Sequence, residues 1–147
     1  MKNLTWKTRV LIAISVVTVL SVTSAYAQAV SIRADIPFQF IAAGKVLPAG
    51  KYQLEYAAAF QRITLRPIEG GAGLYLTSHP ADRPGSGPQP GMFVFHKYGD
   101  HYFLWKVWSP GHSQGYELPA SKAEREMARM LKTQPATETV SVGSGPE

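Results

Sequence analysis

The chain has no cysteine in its 147 residues. That excludes a disulfide framework, a thiol nucleophile and a zinc–thiolate centre, and it removes the residue to which a bacterial lipid anchor is attached. Packing alone has to hold the fold. Runs of lysine or arginine are also missing. Fifteen Lys and Arg stand against ten Asp and Glu, a formal charge of +5. Three of those cations, Lys2, Lys7 and Arg9, lie at the extreme N-terminus, so from residue 28 onward the balance is twelve against ten, or +2. A surplus so small and so scattered gives no electrostatic case for a nucleic-acid partner, which needs a basic stripe or patch. Long apolar runs are absent as well. The stretch from Val10 to Val22 is 13 residues, short of the ~20 that cross a bilayer as a helix.

What the N-terminus does contain is the three-part pattern of a secretory signal: basic residues, that 13-residue apolar run, then Ala25-Tyr26-Ala27. Small residues at the two positions a signal peptidase reads predict cleavage before Gln28. Residues 1–27 are therefore expected to be a cleavable leader, with no transmembrane segment once it is gone. The mature product is expected in the periplasm, the envelope or the medium. About 100 ordered residues remain, enough for one hydrophobic core. The expected organisation is a single β domain over 28–133 and a disordered tail over 134–147.

Within that domain apolar and polar residues alternate. Ile36, Phe38 and Phe40 form one series, Tyr52, Leu54 and Tyr56 a second, and Ile63 and Leu65 a third, with Arg62, Thr64 and Arg66 between them. A period of two with aromatic and β-branched enrichment predicts strands with one wet face. Gly44 to Gly50 (GKVLPAG) and Glu69 to Gly73 (EGGAG) read as turns, because proline presets φ and glycine accepts the left-handed region. His79 to Gly91 holds four prolines and three glycines and is expected to be a long mobile loop, unable to pair as a central strand.

Met92 to Trp108 predicts a hairpin turning at Gly99-Asp100, since glycine first in a two-residue loop marks a type II′ turn. An unbroken register from that turn pairs Tyr98 with His101, His96 with Phe103, Val94 with Trp105 and Met92 with Val107, and puts Trp105 and Trp108 on opposite faces. Ser121-Lys122-Ala123-Glu124 reads as a capping box. Ala123, Met127, Met130 and Leu131 then recur at helical spacing, predicting an amphipathic helix over 122–132 that lies on the sheet.

Three groups of residues invite a chemical reading. Gly111-His112-Ser113-Gln114-Gly115 matches the nucleophile elbow of esterases. That elbow must open a helix and needs a histidine downstream, whereas Pro119 follows closely and His112 is the last histidine, so a glycine-rich turn is the expectation. His96 and His101 project from one face of the hairpin, with Cβ atoms ~7 to 8 Å apart or less. They are weak candidates for a metal, which would need a third ligand such as Asp100 or His79. Ordinary cross-strand histidines are expected, and no cofactor. Tyr98, Tyr102, Trp105, Trp108 and Tyr116 cluster around the hairpin as either core or an aromatic ligand-binding platform.

Four blocks occur in order: Ala34-Asp35-Ile36-Pro37-Phe38-Gln39-Phe40; Leu47-Pro48-Ala49-Gly50-Lys51-Tyr52; Phe95-His96-Lys97-Tyr98-Gly99-Asp100 with Tyr102-Phe103-Leu104; and Leu118-Pro119 with Ser121 and Ala123-Glu124-Arg125-Glu126. Together they resemble a group of small exported bacterial β proteins of unknown function, over about residues 32 to 131. The resemblance implies a fold and no activity. The expected architecture is mainly β, a small antiparallel barrel or sandwich of six to eight strands with one C-terminal amphipathic helix. The expected role is a non-enzymatic exported domain that binds an envelope component, a glycan or a protein. Its rivals are a small ligand-carrying barrel for a glycan or apolar molecule, and a hydrolase or metal enzyme built on Ser113 or the two histidines.

Overall fold

The alternating segments do become strands, and they divide between two sheets. The computed structural model describes residues 30–57, 62–83, 85 and 89–142; the expected leader lies outside these. The elements are β1(Val30–Ile36), β2(Phe40–Ala42), β3(Lys45–Leu47), β4(Gly50–Ala57), β5(Arg62–Pro67), β6(Leu74–Leu76), β7(His79–Asp82), β8(Met92–Tyr98), β9(His101–Trp108), β10(Gln114–Glu117), helix α1(Lys122–Leu131) and β11(Ala136–Ser141). One sheet runs β1-β4-β5-β6. The other runs β11-β8-β9-β10-β7, with β2 alongside β9 and β3 alongside β2. Both sheets are open, so the fold is sandwich-like and not a closed barrel. The described residues form eleven strands, more than the expected six to eight: the series Ile36 to Phe40 is divided at Pro37, β3 lies within the segment read as a turn, and two further strands form in segments read as irregular.

Pro37 explains the first crossing between the layers. Ile36, Phe38 and Phe40 read as one strand, but proline has no N–H for a ladder. The chain leaves the first sheet at Ile36 and enters the second at Phe40. Ala43 and Gly44 then take positive φ, 47° and 77°, in the two-residue loop between β2 and β3, the backbone of a type I′ hairpin. The inward residues of both sheets meet in one core: Ile32, Ile36, Tyr52, Leu54, Ile63 and Leu65 from the first, and Phe40, Phe93, Phe95, Leu104 and Val107 from the second. Phe40 packs edge-on against Tyr52 and Phe95, at centroid distances of 5.1 and 5.5 Å. The outer face of the first sheet is polar as expected. Arg33 Nε donates to Gln53 Oε1 at 3.2 Å, and Gln53 Nε2 donates to Glu55 Oε1 at 2.8 Å.

The hairpin of β8 and β9 turns at Gly99, with φ 59°, and pairs Tyr98 with His101 and His96 with Phe103 as expected. A β-bulge between Val94 and Phe95 then shifts the ladder, so that Val94 pairs with Lys106 and Met92 with Trp108. The shift leaves Trp105 as the extra residue. It also corrects the expected facing of the tryptophans: with one residue added between them, Trp105 and Trp108 share the outer face of the large sheet, while Phe93, Phe95, Leu104 and Val107 all turn inward.

Two segments read as irregular are strands. His79–Asp82 pairs with β10, and it tolerates Pro80 because it is an edge strand. Ala136–Ser141, within the expected disordered tail, pairs with β8 along its whole length. One apolar side chain in that strand, Val140, packs against the core, which is too little periodicity to read; the free edge of β8 supplies the rest. Among the described residues no helix is long and apolar enough to cross a membrane.

Gly115 tests the packing of β10 on β9. A Cβ there would sit 2.5 Å from Trp108 Cε3 and 2.5 Å from the Val107 carbonyl oxygen, and the latter cannot swing aside. Gly115→Ala is expected to cost about 1–3 kcal/mol, measured as a lowered midpoint in chemical denaturation.

Candidate functional site

Helix α1 lies on the outer face of the large sheet, held by a polar contact the capping box conceals. Ser121 Oγ accepts from the Glu124 backbone N–H at 3.1 Å, as a cap should. The Glu124 carboxylate lies 2.6 Å from His96 Nδ1 on β8, and Glu124 is buried. The buried side of the helix is therefore Glu124 with Met127 and Ala128 behind it. Ala123, Met130 and Leu131, expected in the apolar contact, are exposed. The His96 ring stacks on Trp105 at 4.2 Å. Trp105 Nε1 donates to Glu117 Oε1 at 3.2 Å, Glu117 Oε2 meets Lys106 Nζ at 3.2 Å, and that ammonium lies 3.9 Å above the Trp105 ring. Each polar group in this chain has a partner from a different strand or from the helix, and the network clamps the helix to the sheet.

The five aromatics of the hairpin region do not form one platform. Tyr98 and Trp108 are buried on the outer face. Burial, with the nearby Glu124 carboxylate, pushes the Tyr98 phenol up. The Arg83 guanidinium covers Trp108 at 5.2 Å. Trp105 sits between His96 and Lys106. Tyr102, at the turn end of β9, stacks on Phe38 at 3.9 Å. Tyr116 lines a concavity.

The hydrolase and metal candidates also separate. Ser113 is exposed and leads into strand β10, its carbonyl accepting from the Arg83 N–H at 2.9 Å; there is no helix for an elbow to open. His96 is engaged by Glu124 and Trp105, while His101 is exposed beside the turn. Among the described residues no group of three or more His, Asp or Glu is placed to hold a metal ion.

The concavity at Tyr116 lies where the chain crosses from β6 in one sheet to β7 in the other. Tyr56 of β4 and Tyr116 of β10 approach from opposite layers, ring centroids 4.9 Å apart and planes inclined at 36°. With Ser78 of the crossing and Pro80 of β7 they line a groove of about 200 Å³. The Tyr116 phenol is pushed up by burial and then by Tyr56. Tyr56 belongs to this site and was not singled out in the sequence. Its one signal was its place at the end of the Tyr52, Leu54, Tyr56 series, the last inward position of that strand. A second depression of about 240 Å³ lies among Leu47, Pro48, Lys51, Tyr52, Pro67 and Glu69, but its tyrosine hydroxyl is already committed, donating to the Pro48 carbonyl at 2.8 Å. Comparison with known protein families, curated proteins and solved structures finds no match to the chain.

Two measurements check this geometry. Glu124→Ala removes the acceptor for His96 and is expected to cost about 1–3 kcal/mol. Hydrogen exchange should quicken over residues 122–131 while β8 and β9 keep their protection. In alkaline titration followed by phenolate absorbance, Tyr52, Tyr98 and Tyr116 should ionise above the ordinary value of 10.0, because burial raises all three. A folded phenol with a raised pKa keeps its proton when the unfolded one has lost it. The contribution of these tyrosines to stability should therefore be constant below pH ~10 and fall as pH rises past that point.

Proposed function

We propose that this chain is an exported, non-enzymatic β-sandwich domain that binds a ligand or an envelope partner through the groove lined by Tyr56, Ser78, Pro80 and Tyr116. The observation that carries the reading is the groove itself: two aromatic rings, one from each sheet, converge on a hydroxyl and a proline ring in a concave setting on a rigid scaffold. Binding sites combine apolar walls with a few placed polar groups in this way. The non-enzymatic part rests on chemistry. The groove's side chains include no general base and no activated nucleophile, and the carboxylate–imidazole pair of the outer face, Glu124 with His96, is occupied in fixing a helix. The exported part rests on the N-terminal pattern of basic, apolar and small residues and on the absence of cysteine. Membership of the group of small exported β proteins rests on the four ordered sequence blocks.

The test is resonance mapping of the purified protein by heteronuclear NMR against polysaccharide, peptidoglycan and lipid fractions. A saturable perturbation centred on Tyr56, Ser78 and Tyr116 with at least one fraction, reduced tenfold or more by Tyr116→Ala in a protein that keeps its dispersed spectrum, is the expected result. Perturbations that map elsewhere, or survive that substitution, would sink the assignment of the groove.

A further inference from the structure

We infer that the groove takes a single neutral sugar unit, presented by a larger glycan. The inference rests on the reading of this groove as the binding site and goes further by naming the ligand's chemistry.

Charge comes first. The lining side chains, Tyr56, Ser78, Pro80 and Tyr116, carry none. The carboxylate beside Tyr116 in sequence, Glu117, is engaged by Lys106 and by the Trp105 indole N–H. An anionic or cationic ligand would be desolvated here with no counter-charge, which is costly.

Hydroxyls come next. Three of the four lining residues are hydroxylated, and no described residue hydrogen-bonds these groups. The Tyr116 phenol, protonated at neutral pH, is a donor as well as an acceptor. A purely apolar molecule filling the groove would strip water from these hydroxyls and give nothing back, at about 1–3 kcal/mol for each group left unpaired. A polyol returns those bonds. Its ring also has a C–H face, which suits the aromatic surface that the tyrosine pair leaves open and the proline ring, through dispersion and weak C–H contacts.

Size decides the rest. The volume of about 200 Å³ falls below the roughly 300–1,000 Å³ of sites that enclose drug-sized ligands. One ring fills it, and the remainder of a glycan extends into solvent through the open side.

The experiment is an NMR titration of the purified protein and its Tyr116→Phe variant with methyl glycosides of glucose, galactose and N-acetylglucosamine. Glucuronate, choline and hexanol serve as anionic, cationic and apolar probes. The expected result is saturable, millimolar perturbation of Tyr56, Ser78 and Tyr116 by at least one neutral glycoside, with weaker or no response to the other three probes. Tyr116→Phe keeps the ring and removes one hydroxyl, so it should weaken binding roughly threefold to tenfold, the effect of one hydrogen bond. Groove perturbation by choline or hexanol in preference to the glycosides would overturn the sugar assignment while leaving the groove as a binding site. Equal affinity in the Phe variant would overturn the role of the hydroxyl and the assignment with it. Silence at the groove with every probe and every envelope fraction would remove both readings.

Discussion

The large sheet depends on one extra residue in the ladder between β8 and β9. With the bulge at Trp105, Phe93, Phe95, Leu104 and Val107 all reach the core. A regular ladder would turn Val107 to the outer face, because successive side chains of a strand point to opposite faces. The same shift delivers Lys106 and Trp108 to the outer face, beside Trp105. That face is the floor on which the helix, the indole stack and the Arg83 contact are built. A hairpin apolar on both sides needs cover on both sides, and here the first sheet covers one and α1 with the Arg83 segment covers the other.

The helix is held by polarity more than by its own apolar stripe. Its most exposed large apolar side chain, Met130, is 72% accessible, whereas a glutamate of its first turn is buried. The energetic logic is that a desolvated carboxylate must be met. His96 meets it, and stacking on Trp105 fixes the imidazole in turn. The carboxylate thereby couples the start of α1 to the centre of β8, and the helix axis follows the polar contact. The apolar stripe is left turned partly to solvent.

The groove has a different origin. It exists because β6 ends in one sheet and β7 begins in the other, with only Thr77 and Ser78 between them. A crossing so short draws the sheet edges together at that corner and leaves a notch behind it. Tyr56 and Tyr116, in contact with each other, line it together. On the opposite side β1 lies against β11, which brings the two sheets together there.

Local chemistry was legible residue by residue. Gly99-Asp100 specified the turn, because only its backbone geometry suits the twist of two strands. Ser121 specified the start of the helix, because a side-chain oxygen three residues ahead of a free N–H needs no tertiary help. Alternation over Tyr52 to Tyr56 and Ile63 to Leu65 specified the β class and the inward faces. Illegible were the features that arise only when distant segments meet. The bulge follows from matching two faces at once. Strand β11 follows from an unfilled edge on β8 and carries almost no apolar period of its own. Glu124 has the same residue type and spacing whether its carboxylate returns to its own helix or reaches His96, and tertiary packing chose the second. The sequence by itself determined that this is a cysteine-free β protein with one capped helix and a leader-like N-terminus, since propensity, turn geometry and periodicity act over a few neighbouring residues. Only the tertiary structure decided that Tyr56 and Tyr116, sixty residues apart, meet at the lining of one groove, because that contact is made by the packing of two sheets and by no local rule.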